Sequence, residues 1–287
     1  MENDNFTLKA HAKINWALNV LSRRSDGYHI LDMLVQRIDL ADVLTFEQAQ
    51  DLQLHVVNAP EHLSPHDNLV MKAALALKQA TSYKGGARIS LQKFIPTQAG
   101  LGGGSADAAA ALLGLNRLWN TQLSVKQLQD IAVTLGADVP LCLCPGLMRV
   151  TGIGEHITPV SGSREYPLLL IWPNAGLSTA EVFKAFDLKK ERETANLDLA
   201  TKALIEGNIP LIDESCVNQL QAIASGMLPA INQALLHLKD QGALFTQMTG
   251  SGSAVFGMFN SLDQAKQAHA ALQHEWPICL MSKTLTR

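Results

Sequence analysis

The sequence has little of what nucleic-acid-binding and membrane proteins need. Its 287 residues carry 23 Lys and Arg against 26 Asp and Glu, which gives a formal net charge of -3 and no basic block. DNA, RNA and anionic membranes are therefore poor partners for this chain. No apolar run approaches the roughly 20 residues that a membrane-spanning helix needs. We therefore expect neither a nucleic-acid partner nor a membrane partner.

The sequence also lacks an obvious export signal and a metal-binding pattern. The first residues, "MENDNFTLKAHAKINW", begin acidic and have no apolar signal core, so we expect a cytoplasmic protein. Cys142 and Cys144 lie too close together for a zinc knuckle, and the nine histidines are scattered along the chain. We expect all four cysteines to be small buried residues in a reducing compartment, and we expect no protein metal site.

What the chain has is the composition of a globular protein. Hydrophobic residues make up 47% of it and charged residues 17%, and its length suffices for two domains. A polar stretch with Gly and Pro, "VSGSREYP", follows residue 159 and suggests a domain boundary. We therefore predict one domain over residues 1–160 and a second over residues 161–287.

Hydrophobic periodicity predicts a mixture of strands and helices, hence an α+β protein. Strands are predicted at residues 41–49, 52–57, 87–96 and 168–173, on both sides of the glycines in "ALFTQMTGSGSAVFGMF", and at the end of the chain. Helices are predicted at residues 67–81, 106–119, 124–136, 179–186, 197–206, 216–225, 228–241 and 262–274. Asp67 or Asn68 is the expected N-cap of the first helix, and Ser124 that of the third.

The segment "PTQAGLGGGSADAAAALLGLN", residues 96–116, contains the most informative motif. No lysine follows its glycines, so the segment is not a Walker A loop. The dinucleotide fingerprint, forced onto Gly100, Gly102 and Ser105, fails at its third position. A plain strand-to-helix turn with Ser105 as helix cap remains open. The alternative is an anion site, in which glycine amides and the helix N-terminus bind phosphate.

The same segment resembles the ATP loop of the GHMP kinases, the family named for galactose, homoserine, mevalonate and phosphomevalonate. Further matching segments follow in the order of that family, from about residue 10 to 260: "AHAKINWALNVLSRRSDGYHILDMLVQRIDLAD", "LGADVP", "GIGEHITPV" and "MTGSGSAVFGMF". The first of these is most similar to the branch of the family whose acceptor carries cytidine diphosphate. Gln98, Arg149 and Gln219 depart from the usual pattern.

The resemblance implies a two-domain α+β fold. Its amino-terminal domain would contain a mixed sheet and its carboxyl-terminal domain would be ferredoxin-like, with the active site in the cleft. The implied activity is ATP-dependent phosphorylation of a hydroxyl group, with ATP and Mg²⁺ as cofactors. The partner would be a small-molecule substrate with a cytidine diphosphate group, and the enzyme would be a monomer or weak homodimer.

The resemblance also implies two catalytic residues. Asp138 would accept the proton of the substrate hydroxyl, and Lys13 would pair with Asp138. Without the resemblance, an Asp after Gly-Ala is more simply a turn residue, and Lys13 more simply an exposed residue of a strand.

The binding residues follow in the same way. The implied ATP contacts are Asn68, Lys93, Pro96, Thr97, Gln98, Ala99, Gly100, Leu101, Gly102, Gly103, Gly104, Ser105 and Ala106. The implied substrate contacts are Asn15, Tyr28, His29, Thr179 and Phe183. Asn68 serves equally well as a helix cap, and Phe183 as a core residue. Tyr28 follows Asp26-Gly27, a turn signature that exposes its neighbours. Gly250 and Gly252 would shape the opposite wall of the site.

Two rival functions need consideration. A homoserine or mevalonate type of kinase has a small acceptor that needs no aromatic clamp, so "DGYH" argues against it. A catalytically inactive ligand sensor of the same fold is disfavoured because Lys13, Asp138 and Ser105 are all present.

Overall fold

The structure is a computed structural model that describes residues 5–58, 68–189 and 193–286. The chain forms two compact units, and each is discontinuous in sequence. The first comprises residues 1–12, 40–95 and 102–144, and the second comprises residues 13–39, 96–101 and 145–287. The domain boundary near residue 160 stays a prediction. Asp67, one of the two candidate helix caps, lies outside the described residues.

Two long strands, β1 (Phe6–Arg23) and β2 (His29–Ala49), contribute to both units. The other elements of the first unit are β3 (Leu52–Val57), α1 (Leu69–Thr81), β4 (Gly86–Gln92), α2 (Gly103–Leu118), α3 (Val125–Ala132) and a short 3₁₀ turn at Leu141–Leu143. Strand β4 pairs antiparallel with β2 and parallel with β3, so the predicted mixed sheet is confirmed.

The alanine run of α2 allows the helix to lie close to its neighbours. Residues 106–112 of α2 are all buried. On the side facing β2, Gly114 is so close to Phe46 that a Cβ there would be 2.3 Å from the ring. Small residues thus let α2 pack directly on the sheet.

The second unit contains two groups of strands. Strands β5 (Leu147–Gly152) and β6 (His156–Val160) pair antiparallel with each other, and β5 pairs with residues 31–36 of β2. The remaining elements are β7 (Pro167–Trp172), α4 (Thr179–Asp187), α5 (Leu197–Glu206), α6 (Ile209–Ser215), α7 (Gln221–Met227), α8 (Ala230–Asp240), β8 (Phe245–Met248), β9 (Val255–Met258), α9 (Leu262–Leu272) and β10 (Ile278–Lys283).

Strands β7 to β10 form an antiparallel sheet in the order β10-β7-β9-β8. Counted along the chain, this order is fourth, first, third, second, which is the ferredoxin-like arrangement that the resemblance implies. Helix α9 connects β9 to β10, whereas the described residues between β7 and β8 contain five helices in place of the usual one. The predicted α+β fold class is therefore confirmed.

The sequence-based predictions of elements differ from the structure in several places. Residues 216–225 are not one helix: α7 begins only at Gln221, because the side chain of Asn218 accepts a hydrogen bond from Leu220 N and holds a turn there. Helix α2 begins at Gly103 rather than at residue 106. Strands β1, β5 and β6 and helix α6 were not predicted from the sequence. Within the described ranges, no helix is long and apolar enough to cross a membrane.

Candidate active site

Residues 96–106 are called here the glycine loop. The N-terminus of α2 lies inside this loop. Its N-cap is Gly102 in a left-handed conformation (φ 70°), and no described side chain caps the helix. Ser105 is therefore a residue of the first turn, and its expected role as the cap is wrong. The first backbone hydrogen bond of the helix runs from Ala106 N to Gly102 O (2.9 Å). The amides of Gly103, Gly104 and Ser105 precede it and have no intrahelical acceptor, which makes this end suitable for an anion.

A second helix N-terminus lies next to this one. Asn68 is the N-cap of α1, and its Oδ1 accepts a hydrogen bond from Val70 N (2.9 Å). The following residue, Leu69, is 3.5 Å from the position of a Cβ on Gly104. The capping role of Asn68 is thus confirmed, while its contact with the nucleotide stays a prediction. Two positive helix ends meet here, which favours a negatively charged ligand.

Beneath the first turn of α2 lies a buried ionic cluster of Asp42, Lys93 and Asp107. The ammonium of Lys93 donates to both carboxylates, at 2.6 Å to Asp107, and Lys93 is only 9% exposed. Asp42 also accepts the backbone amides of Phe94 and Ile95. Burial raises the pKa of Asp107 to about 7; the Lys93 ammonium opposes this rise and the Asp42 carboxylate adds to it. Lys93 is thus engaged with two carboxylates, while its contact with ATP stays a prediction.

In the second unit, Lys13 is held by Asn15. Lys13 Nζ donates to Asn15 Oδ1 (2.7 Å), and the same oxygen accepts from Gly250 N (3.0 Å). Asn15 N in turn donates to Thr249 Oγ1 (3.1 Å), and Asn15 is 1% exposed. Lys13 is buried as well, so the interpretation of it as an exposed strand residue is wrong. The amide oxygen of Asn15 orients the ammonium, whereas a contact of Asn15 with substrate stays a prediction.

The turn of residues 249–254, called here the glycine turn, packs directly on the first half of the glycine loop. Gly100 has φ +79°, and a Cβ on it would be 2.2 Å from Thr249 O. A Cβ on Gly250 would be 3.1 Å from Lys13 Nζ and 2.9 Å from Gly100 O. Asn218, which the sequence analysis did not identify, donates to Met248 O and Gly250 O (2.9 and 2.8 Å). Lys13, the loop and the glycine turn therefore meet only because both contact positions are glycine.

The side chains of the remaining loop residues differ in exposure. Ala99 and Leu101 are buried, Pro96 and Thr97 are half-buried, and Gln98 is exposed. Gln98 has a left-handed backbone (φ 55°), and its Oε1 is 2.9 Å from the position of a Cβ on Gly176. The family departure at Gln98 is therefore accommodated by an adjacent glycine.

The other two departures from the family pattern also have partners in the second unit. Arg149 forms a bidentate pair with Asp32 (2.9 and 2.7 Å) and a further bond to Asp198. Gln219 accepts a hydrogen bond from Val20 N at 2.8 Å. Both side chains therefore join neighbouring segments of the fold.

The predicted substrate residues include one aromatic pair. His29 and Phe183 are stacked, with ring centroids 4.6 Å apart and planes inclined by 21°. His29 Nε2 is 2.8 Å from Asp187 Oδ1, and Arg23 lies 3.2 Å from the other oxygen of that carboxylate. Tyr28 is 58% exposed, as the preceding Asp26-Gly27 turn predicts. No pattern in the sequence points to Asp187.

The last two predicted residues lie on turns. Thr179 begins α4, and its Oγ1 is 2.8 Å from Ser251 Oγ in the glycine turn. Asp138, in the first unit, lies within a turn closed by a hydrogen bond from Val139 N to Gly136 O (3.1 Å). The buried Val139 and Pro140 follow, so the half-buried Asp138 is on a rigid corner. Its catalytic role stays a prediction.

A glycine loop at the start of a helix and a ferredoxin-like sheet are the two features that the resemblance to small-molecule kinases implies, and comparison with known proteins agrees. The model of the GHMP kinases N terminal domain matches residues 68–146, and that of the GHMP kinases C terminal domain matches residues 200–278. The chain belongs to the GHMP kinases, a family of ATP-dependent phosphotransferases.

Individual relatives carry a more specific name. The 4-diphosphocytidyl-2-C-methyl-D-erythritol kinase of Alkaliphilus metalliredigens is 38% identical over 92% of this chain and 91% of its own length. That of Caldicellulosiruptor bescii is 39% identical over 93% of each chain. A solved structure of 4-(cytidine 5'-diphospho)-2C-methyl-D-erythritol kinase matches with a TM-score of 0.85 at 32% identity, over 98% of this chain and all of the other.

Proposed function

We propose that this chain transfers the γ-phosphoryl group of ATP to the 2-hydroxyl of 4-diphosphocytidyl-2-C-methyl-D-erythritol, in the non-mevalonate route to isoprenoid precursors. The observation that carries this proposal is the aromatic group formed by the stacked His29 and Phe183 and the neighbouring exposed Tyr28. An exposed aromatic face next to ring nitrogen atoms suits a pyrimidine base. The names of the relatives favour this acceptor over homoserine or mevalonate.

The nucleotide side of the proposal rests on the start of α2. The first-turn amides and the hydroxyl of Ser105 offer hydrogen-bond donors to phosphate oxygens, and the neighbouring start of α1 adds a second positive helix end. At Gly103, a Cβ would be 2.9 Å from Ile95, so glycine keeps this turn compact. When bound, ATP supplies the phosphoryl group that is transferred.

Magnesium fits this arrangement without a dedicated protein cage. Among the described residues, no group of three or more His, Cys, Asp and Glu side chains could hold a metal ion. Mg²⁺ in kinases usually keeps several waters and is held by phosphate oxygens with only one or two protein ligands. Ser105, in the first turn of α2, is the residue we assign to contact with the phosphates or with Mg²⁺.

In the proposed mechanism, the oxygen of the substrate hydroxyl forms a bond to phosphorus, and Asp138 accepts the proton of that hydroxyl. The bond from phosphorus to the leaving oxygen of ADP breaks, and the proton stays on the Asp138 carboxylate until release to water. Lys13 stabilises the negative charge that develops on the attacking oxygen, with its ammonium oriented by Asn15. The pairing of Lys13 with Asp138 stays a prediction that a double-mutant cycle tests.

The remaining features of the proposal concern partners. We propose that the enzyme acts in the cytoplasm, as a monomer or weak homodimer, on a small molecule and without nucleic acid. The formal net charge of -3 and the absence of a basic block in the sequence support the last point. Sedimentation over a range of protein concentrations would test the oligomeric state.

The decisive experiment is a coupled assay of ADP release with four acceptors offered separately. We expect turnover with 4-diphosphocytidyl-2-C-methyl-D-erythritol and none with mevalonate, homoserine or galactose. Preferred turnover of any of the other three would overturn the proposed acceptor. Absence of turnover with all four, in a protein that still binds ADP, would favour the inactive sensor.

A further inference from the structure

The Asp42–Lys93–Asp107 cluster joins three segments of the first unit. Asp42 is on β2, Lys93 immediately follows β4, and Asp107 is in the second turn of α2. The cluster is almost fully enclosed: the side chains of Asp42, Lys93 and Asp107 are 0%, 7% and 4% exposed. It therefore connects the sheet to the helix whose N-terminus we assign to phosphate binding.

The charges of the cluster do not balance. Two carboxylates share one ammonium, and no described residue donates a hydrogen bond to the buried Asp107 Oδ1. An unpaired buried carboxylate oxygen costs free energy, and a buried ion pair is weak support for stability even when it is complete. A cluster that served stability alone would gain by losing Asp107. The presence of Asp107 therefore suggests that the cluster positions a neighbouring segment of the chain.

What the cluster holds is the geometry around the start of α2. Asp42 accepts the amides of Phe94 and Ile95, the first residues after Lys93. A Cβ on Gly103, the first residue of α2, would be 3.6 Å from Lys93 Nζ. The same Cβ would be 2.9 Å from the side chain of Ile95. Asp107 ties the helix to the same ammonium. The segment after β4 and the first turn of α2 thus share one anchor.

We propose that Asp42 and Asp107 are positioning residues, which use Lys93 to fix the first turn of α2 so that its amides are aligned for the phosphates of the nucleotide. None of the three side chains touches the nucleotide in this proposal. It rests on the proposed nucleotide site at α2 and is independent of the identity of the acceptor.

The test compares Asp107→Ala with Asp107→Asn. Alanine removes the tie between Lys93 and α2, whereas asparagine keeps a neutral oxygen that accepts from the ammonium. Both variants leave one carboxylate, Asp42, with one ammonium. Misplacement by about 1 Å costs up to about 10²-fold in precisely organised sites. We therefore expect the Kd for ADP, measured by calorimetry without acceptor, to rise by roughly tenfold in Asp107→Ala and by a smaller factor in Asp107→Asn.

A matched control and a stability measurement separate positioning from structural support. Asp130→Asn removes an exposed carboxylate of the same unit, which pairs with Lys126 at 2.9 Å, and should leave the Kd for ADP unchanged. The melting temperatures of both Asp107 variants at pH 8 should equal or exceed that of the wild type, since a costly buried charge is gone. Weaker ADP binding in a protein of equal or greater stability is the signature of positioning.

Two results would overturn the proposal. One is unchanged ADP affinity in Asp107→Ala. The other is a loss of affinity that accompanies a loss of thermal stability, which would make the cluster purely structural. Should Asp107→Ala fail to fold, Asp42→Asn is judged by the same two criteria, because it keeps an oxygen for the amides of Phe94 and Ile95. Because ADP binding is measured without acceptor, a wrong acceptor assignment leaves this test intact.

Discussion

Asn15 Oδ1 accepts a hydrogen bond from Lys13 Nζ at 2.7 Å, two residues earlier on the same strand. The two side chains point to the same face of β1, as residues i and i+2 of a strand do. The same oxygen also accepts from Gly250 N, so Asn15 fixes the ammonium relative to the glycine turn. This relationship contributes to fixing the position of a lysine that is only 4% exposed.

Replacing Asn15 should therefore act through Lys13. We expect Asn15→Ala to lower kcat by at least about tenfold, because a lysine without its orienting acceptor stabilises the developing charge poorly. The KM for ATP should change little. A rise in acceptor KM with unchanged kcat would instead show that Asn15 contacts the substrate directly, as the family resemblance implies.

Asn19 provides the matched control for this substitution. It is a buried asparagine of the same strand, and its side chain exchanges two hydrogen bonds with the backbone of Ala195 (2.9 and 3.0 Å). Asn19→Ala should lower the free energy of unfolding by about 1–3 kcal/mol, because it leaves buried backbone groups unpaired. Its kcat should remain near that of the wild type.

Asp138→Asn tests the proposed general base. The amide cannot accept the hydroxyl proton, and general base catalysis contributes about 10²–10⁴-fold. We expect kcat to fall within that range while the Kd for ADP, measured by calorimetry, stays within about twofold of the wild type. Turnover at the wild-type rate would remove Asp138 from the mechanism and restore its interpretation as a turn residue.

Tyr28 tests the cytidine assignment. Base–aromatic stacking is worth about 1–3 kcal/mol, so Tyr28→Ala should raise the acceptor KM by about 5-fold to about 150-fold. The KM for ATP should not change. Tyr28→Phe retains the ring and should behave like the wild type. Equal increases in both KM values would mean that Tyr28 does not distinguish acceptor from nucleotide.

Features that depend on contacts between residues close in sequence can be predicted from the sequence, whereas those that depend on distant residues cannot. Asn68 and Ser124 were identifiable as caps because each bonds within its own first turn. Asn15 and Gly250, by contrast, are 235 residues apart, Asn218 and Gly250 are 32 apart, and Asp42 and Lys93 are 51 apart. No pattern of local periodicity reports such partners. The resemblance supplied Lys13 but could not show which residue holds it.

The same distinction accounts for the errors in secondary structure. Residues 216–225 have the periodicity of a helix. However, the side chain of Asn218 donates hydrogen bonds to Met248 O and Gly250 O, and this prevents a helix from forming around residue 218. Tertiary hydrogen bonds outweigh local helix propensity in this segment. Strands β5 and β6 are short and are separated by a glycine-containing turn, so their alternation is too brief to be decisive.

Gln98 offers a test of loop conformation that is independent of chemistry. A non-glycine residue in the left-handed region costs about 1–2 kcal/mol, and a β-branched residue is worse. We expect Gln98→Gly to change the free energy of unfolding by less than about 1 kcal/mol. Gln98→Val should lower it by about 1–2 kcal/mol relative to the glycine variant. Equal stability of the two variants in urea unfolding would show that the left-handed conformation is not required.

The raised pKa of Asp107 predicts how stability depends on pH. Burial raises this pKa from 3.8 to about 7, with the Lys93 ammonium opposing the rise and Asp42 adding to it. Between these two values the folded state binds more protons at Asp107 than the unfolded state, so this residue makes stability fall as pH rises from about 4 to 7. Above pH 7 both states are ionised and the contribution is constant.

In Asp107→Asn this contribution is absent, so the stability of the variant relative to the wild type should increase between pH 5 and pH 8. Urea unfolding of both proteins at these two pH values measures the difference, and a difference that does not change with pH would mean that Asp107 ionises at its ordinary pKa.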